Sequence, residues 1–338
     1  MRLQDRIEAL VYLGEAMKID GGEWDAIINQ AKHKNPWFTQ ENCEQSIQAI
    51  AENYLDADTL SEVASHYDKL DREDAKRVGV VAAGNIPLVG IHDIIACFLA
   101  GHTAVIKLSE KDEVLIPHCI DIIVKKYPSA STYFEIVSRL ENFYAVIATG
   151  SNNTSRYFEY YFSKHPNIIR KNRNALAVLS GKESKEELTE FGKDIFSYFG
   201  LGCRNVSMIF VPRGYKLEDL MSSFEQFSEI AYHNKYKNNL DYNGAIYLLN
   251  QEAHLISDFL VMREQKSLSS RIACLHYQFY DAIDEVETFL KENTNNIQCV
   301  VSHLNLENAK TFPFGKAQSP AFLDYADNVD TLGFLQEL

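Results

Sequence analysis

The chain has 338 residues, 46% hydrophobic and 24% charged, with a formal net charge of −14. Single cores stop growing at about 250–300 residues, so two domains are expected, and no apolar run approaches the ~20 residues of a membrane helix. The acidic balance argues against nucleic acid as the main partner, because such binding rests on a basic footprint.

The opening stretch MRLQDRIEALVYLGEAMK carries acids within its apolar pattern and has no small-residue cleavage site. It reads as an amphipathic helix rather than a signal peptide, and a cytoplasmic setting is expected. Helical spacing continues (Leu3, Ile7, Leu10, Val11, then Ile47, Ile50, Tyr54), broken by DGGEW and KNPWF, which gives a helical N-terminal lead.

From Arg77 strands and helices alternate. RVGVVAAGN is a strand, IHDIIACFLAGH a buried helix, TAVIKL a strand, KDEVLIPHCIDIIVKKY a helix, FYAVIATG a strand, SRYFEYYFSKH a helix and NALAVLSG a strand. Such alternation means a parallel sheet with crossover helices. After Gly181 come a helix, KEELTEFGKDIFSYFG, a cysteine-bearing turn, VSMIFVP, a helix LEDLMSSFEQFSEIAYH, then GAIYLLN and SRIACLHYQF, which together fit a second α/β unit. The domains are placed at 1–178, 179–320 and a tail at 321–338, joined near Ser180.

In a doubly wound sheet ligands bind at the carboxyl ends of strands, where glycine turns and helix N-termini receive phosphate. Three such ends are visible: AAGNIP, IKLSEKD and TGSNNTS. Gly150 and Ser151 suit an anion or an ordinary capped turn; Lys107, followed by Ser109, suits a ribose or phosphate or plain solvation. Asn85, between Gly84 and Pro87, offers an amide to an oxyanion or simply makes a turn.

The six cysteines (Cys43, Cys97, Cys119, Cys203, Cys274, Cys299) show no CxxC pair and no zinc spacing, so they read as thiols rather than disulfides or a metal site. Cys97, Cys119 and Cys274 lie in apolar patterns. Cys203 differs, in a loop between Gly202 and Arg204, where an arginine and loop N–H groups favour the thiolate that attacks a carbonyl or thioester. No GxSxG elbow or histidine motif accompanies it.

The order AAGNIP, GHTAVIKLSE, ATGS, GLGC resembles the aldehyde dehydrogenase superfamily. More closely, GNIPLVGIHD, GLGCRNVS and FPFGKAQSPAFLDYADNVDTLGFL resemble the LuxC-type acyl-CoA reductases, over residues 36–338. The resemblance implies an aldehyde dehydrogenase-like α/β fold, with a Rossmann-type cofactor domain and an α/β catalytic domain. It implies Cys203 as nucleophile and Asn85 as oxyanion donor. It assigns Lys107 to the adenosine ribose or its 2′-phosphate, Ser109 to the cofactor site, and Gly150 with Ser151 to the pyrophosphate.

Two departures from the superfamily pattern bear on the reaction. The stretch RKNRNALAVLSG lacks the glutamate that activates water in hydrolytic members, which points to CoA chemistry; and no EIFGPV-like segment is legible near KSLSSRIACLHYQF. The expected activity is reduction of an acyl-CoA, of fatty acyl type, to the aldehyde with NADPH, NADH being the alternative cofactor. An acylating aldehyde dehydrogenase running toward acyl-CoA and a catalytically silent scaffold are the alternative readings; a homo-oligomer is left open.

Overall fold

The computed structural model describes residues 1–18, 22–72 and 74–338. The DGGEW break falls partly on Asp20 and Gly21, which lie outside the described residues. The chain divides into two compact units, residues 1–172 with 319–338, and residues 173–318.

The first unit opens with four helices, α1 (Leu3–Met17), α2 (Glu23–Lys34), α3 (Gln40–Asn53) and α4 (Ala57–Ser65). In α1 Ile7, Leu10, Leu13 and Met17 recur at helical spacing and are buried, each such burial contributing about 1.5–3 kcal/mol. Thr39 starts α3 by accepting from Asn42 N, and Asp56 starts α4 by accepting from Asp58 N and Thr59 N.

Then follow β1 (Arg77–Val81), α5 (Ile91–Leu99), β2 (Thr103–Lys107), α6 (Leu115–Lys126), β3 (Phe134–Ile136), β4 (Ala145–Thr149), α7 (Asn152–Phe162) and β5 (Asn167–Arg170). The strands pair in parallel in the order β3-β2-β1-β4-β5. The chain therefore reverses its direction of travel across the sheet between β1 and β4, the switch point at which such sheets take ligands.

The second unit contains β6 (Asn174–Val178), α8 (Lys185–Phe196), β7 (Val206–Pro212), α9 (Leu217–Ser223), α10 (Asn234–Leu249), β8 (Leu255–Ile256), β9 (Val261–Glu264), β10 (Cys274–Tyr280), α11 (Ile283–Asn293), β11 (Ile297–Val301) and β12 (Thr311–Phe312). Its seven strands run β12-β11-β6-β7-β10-β9-β8, parallel except for the β8–β9 pair. Ala175, Ala177 and Leu179 face one core and Leu176 and Val178 the other, the period-two alternation of a strand buried on both faces.

Two local expectations are corrected. NALAVLSG, placed at the end of the first domain by sequence, is β6 and pairs with β7 and β11 in the second sheet. The helix expected over LEDLMSSFEQFSEIAYH breaks at Phe224, whose side chain is fully buried against Phe191 and Phe196; α9 ends there and a 3-10 turn, Glu225–Tyr232, follows. GAIYLLN forms the end of α10, and its Leu248 and Leu249 are exposed.

The last helix, α12 (Thr331–Gln336), returns to the first unit and buries Leu332 and Leu335 in its core. Arg170 at the end of β5 fastens it, donating to Asp93 on α5 and, at 2.8 Å, to Thr331 Oγ1. Among the described residues no helix is long and apolar enough to cross a membrane.

Candidate active site

In the first unit the expected cofactor residues share one edge of the sheet. Val81, the last residue of β1, stands in register with Lys107 of β2 and with Ala148 of β4. Gly84 and Asn85 lie three and four residues past the end of β1, Ser109 two past β2, and Gly150 and Ser151 directly after β4. These residues therefore cluster at the carboxyl ends around the switch point.

The loop after β1 is held firmly. A Cβ on Gly84 would lie 2.5 Å from Ser109 Oγ, so Gly84 and Ser109 pack directly against each other and only glycine fits. Ser46 Oγ donates to Pro87 O at 2.8 Å, and Leu88, with φ of 58°, donates its N–H to Asp112 Oδ2 at 2.9 Å. Burial pushes the Asp112 carboxyl up to about 6. Asn85, half-buried, sits in this braced segment.

Lys107 is half-buried and its Nζ donates to Leu108 O at 3.1 Å. Ser151 caps α7, accepting from Thr154 N at 3.3 Å, and Gly150 leaves no room for a side chain, a Cβ lying 2.9 Å from the Phe158 ring. A glycine surface, an ammonium and a helix N-terminus at one edge form a donor set that fits a phosphate-bearing nucleotide.

In the second unit Cys203 lies between α8 and β7. The chain leaves α8 through three successive left-handed residues, Tyr198 (φ 53°), Phe199 (φ 59°) and Gly200 (φ 73°). For the two that are not glycine this conformation costs about 1–2 kcal/mol per residue. A tight turn follows, closed by Asn205 N donating to Gly202 O at 3.0 Å, with Cys203 and Arg204 at its tip.

Cys203 is chemically distinct among the six cysteines, none of which is in a disulfide. The other five are buried, and burial pushes the thiols of Cys43 and Cys299 up to about 12 and that of Cys274 to about 11. Cys97 and Cys119 are raised too, so these thiols stay protonated at neutral pH. Cys203 alone is partly exposed. Arg204, expected to favour the Cys203 thiolate, also lies close enough to Cys299 to oppose the rise of its thiol pKa, and its guanidinium sits 5.4 Å from the centre of the Phe312 ring.

Sequence reasoning missed two residues here, Asn205 and Asp194. The Asn205 amide donates to the carbonyls of Asp194 (3.2 Å), Ile195 (3.3 Å) and Ser197 (2.8 Å) and accepts from Gly202 N (2.8 Å). The buried Asp194 carboxylate accepts from Gly315 N (2.7 Å) and Ala317 N (3.0 Å); burial pushes its pKa up to about 7 despite those bonds. An asparagine two residues after the cysteine was the one available signal; nothing local marks an aspartate in mid-helix.

No protein-family model and no curated protein matches the sequence. Solved structures do match. The chain superposes on indole-3-acetaldehyde dehydrogenase AldA of P. syringae, determined in complex with NAD+, at 11% identity and a TM-score of 0.67, over 91% of this chain and 74% of that one. An aldehyde dehydrogenase of Bacillus cereus in its NAD+ complex matches at 14% identity and a TM-score of 0.66, over 89% and 72%. One from Mycobacterium tuberculosis, also with NAD+, matches at 11% identity and a TM-score of 0.65, over 89% and 73%. The chain therefore has an aldehyde dehydrogenase-like fold, with one α/β unit built on a five-stranded parallel sheet and a second α/β unit that carries the partly exposed cysteine.

Proposed function

We propose that this protein is an oxidoreductase of aldehyde and acyl groups, specifically an acyl-CoA reductase that uses NADPH, with NADH the alternative. The observation that carries the reading is Cys203, the one partly exposed thiol of six, held at the tip of a braced turn in a fold shared with NAD+-binding aldehyde dehydrogenases. A bound reduced nicotinamide would supply hydride, and Lys107, Ser109, Gly150 and Ser151 are assigned to holding the nucleotide.

In this reading the Cys203 thiolate attacks the carbonyl carbon of the acyl thioester. Asn85 and the N–H of Cys203 are assigned to the oxyanion, such donors being worth about 10²–10³ in rate each. The tetrahedral species collapses by breaking the C–S bond to CoA, leaving an acyl thioester on Cys203 and releasing CoA thiolate. Once hydride has been added, the Cys203–carbon bond breaks, aldehyde departs and the thiolate is restored.

Survival of the thioester needs water left unactivated. The segment Arg170–Gly181 contains no glutamate, and Glu183, just beyond it, is committed to Ser180 N (2.6 Å), Ser180 Oγ (2.7 Å) and Gly181 N (3.0 Å). This supports transfer to hydride or CoA over hydrolysis. The test is intact-protein mass spectrometry after incubation with long-chain acyl-CoA without NADPH, beside Cys203→Ala. A single adduct on the wild type, absent in the variant and discharged by NADPH, is expected; no adduct across several chain lengths would leave a scaffold protein.

A further inference from the structure

The turn that presents Cys203 is pinned from both sides. Asn205 is 3% exposed and uses its whole amide: the oxygen accepts Gly202 N–H and the nitrogen reaches three carbonyls at the end of α8. Its main-chain N–H closes the same turn on Gly202 O. One side chain thus fixes where α8 ends and where the cysteine turn begins, across the left-handed stretch between them. Helix ends usually satisfy such carbonyls with a glycine turn or water.

The turn's other flank is held by the far end of the unit's sequence. Arg204 engages Cys299 on β11 and the ring of Phe312 on β12. From β12 the chain runs into Phe314, buried against Phe191 at 5.3 Å between ring centres, and Gly315, whose φ of 77° and lack of a side chain let it sit against Glu190. Gly315 and Ala317 then give their N–H groups to Asp194, the residue whose carbonyl Asn205 caps. The FPFGKA segment therefore meets the cysteine turn on a single turn of α8.

We infer that Asn205 and Asp194 are positioning residues for Cys203, a two-sided mount at the end of α8 that joins the nucleophile turn to the segment Phe314–Ala317. The inference rests on the reading of Cys203 as the nucleophile. It gives a stretch more than a hundred residues downstream a structural part in holding the cysteine turn.

The test compares single-turnover acylation of Cys203 by long-chain acyl-CoA in the full-length wild type, Asn205→Ala, Asn205→Asp, Asp194→Ala and Asp194→Asn, each below its melting temperature. Ser184→Ala serves as control, since it removes the capping box at the opposite end of α8 and lowers helix stability without touching the mount. Acylation is expected to slow at least 30-fold in Asn205→Ala and Asp194→Ala. Asp194→Asn, which keeps one acceptor, should recover part of the loss, while Asn205→Asp, which cannot donate to the carbonyls, should not. Ser184→Ala should acylate at the wild-type rate.

Equal rates in all variants would overturn the inference and leave the reductase reading standing. Absence of an adduct on the wild type itself would end both. Should the alanine variants fail to fold, amide exchange on the wild type decides: the N–H groups of Gly202, Gly315 and Ala317 must be protected together, and a freely exchanging Gly202 would sink the mount.

Discussion

The two units build their candidate site residues by different physical means. In the first, every such residue sits at the end of a parallel strand or one short step beyond it, so the ladder itself sets position: Val81 registers with Lys107 and Ala148, and the loops follow. In the second, Cys203 precedes its strand, on a turn entered through Tyr198, Phe199 and Gly200 in left-handed conformation and braced by the Asn205 amide. A ladder tolerates loop change because its hydrogen bonds are repeated along the strand; a turn held by a few single side-chain contacts does not. The candidate binding edge and the candidate nucleophile accordingly rest on supports of different fragility.

The sharpest contrast comes from Cys203→Ala. In the second unit the residue is partly exposed and fills no core, so removal of its sulfur should abolish acyl-adduct formation and reductase turnover, by at least about 10³-fold, with an unchanged melting temperature. A stable variant with substantial turnover would remove the cysteine from the chemistry. The mirror image is Arg170→Ala in the first unit. It leaves Asp93 buried without its Arg170 ion pair and removes one tie to α12, and a loss of about 3–5 kcal/mol in denaturant unfolding is expected. A loss below about 1 kcal/mol would show that the tail is fastened elsewhere.

A middling effect is expected at the binding edge. Lys107→Ala should weaken nucleotide binding by about tenfold in titration calorimetry, more for NADPH than for NADH, because an ammonium gains most from the added phosphate. Equal losses for the two nucleotides would place Lys107 on the ribose and not on the 2′-phosphate. Adduct formation at Cys203 without cofactor should be untouched by this change.

A further test reads the mount by pH. The Asp194 carboxyl has its pKa raised from 3.8 in the unfolded chain to about 7, chiefly by desolvation. Its contribution to stability is therefore full below pH ~4 and is lost as pH rises through about 7. His102 in the first unit is shifted the other way, down to about 4 by burial, so its contribution is lost as pH falls from about 6.5 toward 4. Urea unfolding from pH 4 to 8 should show the stability of wild type relative to Asp194→Asn declining toward pH 8, by up to about 1.4 kcal/mol per pH unit inside the window. A flat difference would mean that Asp194 is charged throughout.

Much of the first unit was legible because its central strands are apolar runs between glycine turns. Arg77–Val81, Thr103–Lys107 and Ala145–Thr149 all read correctly, and their carboxyl ends pointed to Asn85, Lys107 and Gly150. The short strands did not: Phe134–Ile136, at a sheet edge, is too brief to show a period, and the apolar run of Ile297–Val301 is interrupted by the buried Gln298. The sheet to which Asn174–Val178 belongs was illegible for a different reason, since local pattern records that a strand is buried and not which strands bury it.

The sequence by itself determined the α/β alternation, the strand ends that carry the glycine loops and the one cysteine set in a polar turn, because these depend on neighbours a few residues away. Only the tertiary structure decided which thiols are buried, that Asn205 closes the Cys203 turn onto α8, and that Asp194 receives Gly315 and Ala317 on the same helical turn. Those are contacts between distant segments. Their hydrogen bonds offset the cost of burying polar groups and exist only once the chain has folded, and no local pattern encodes them.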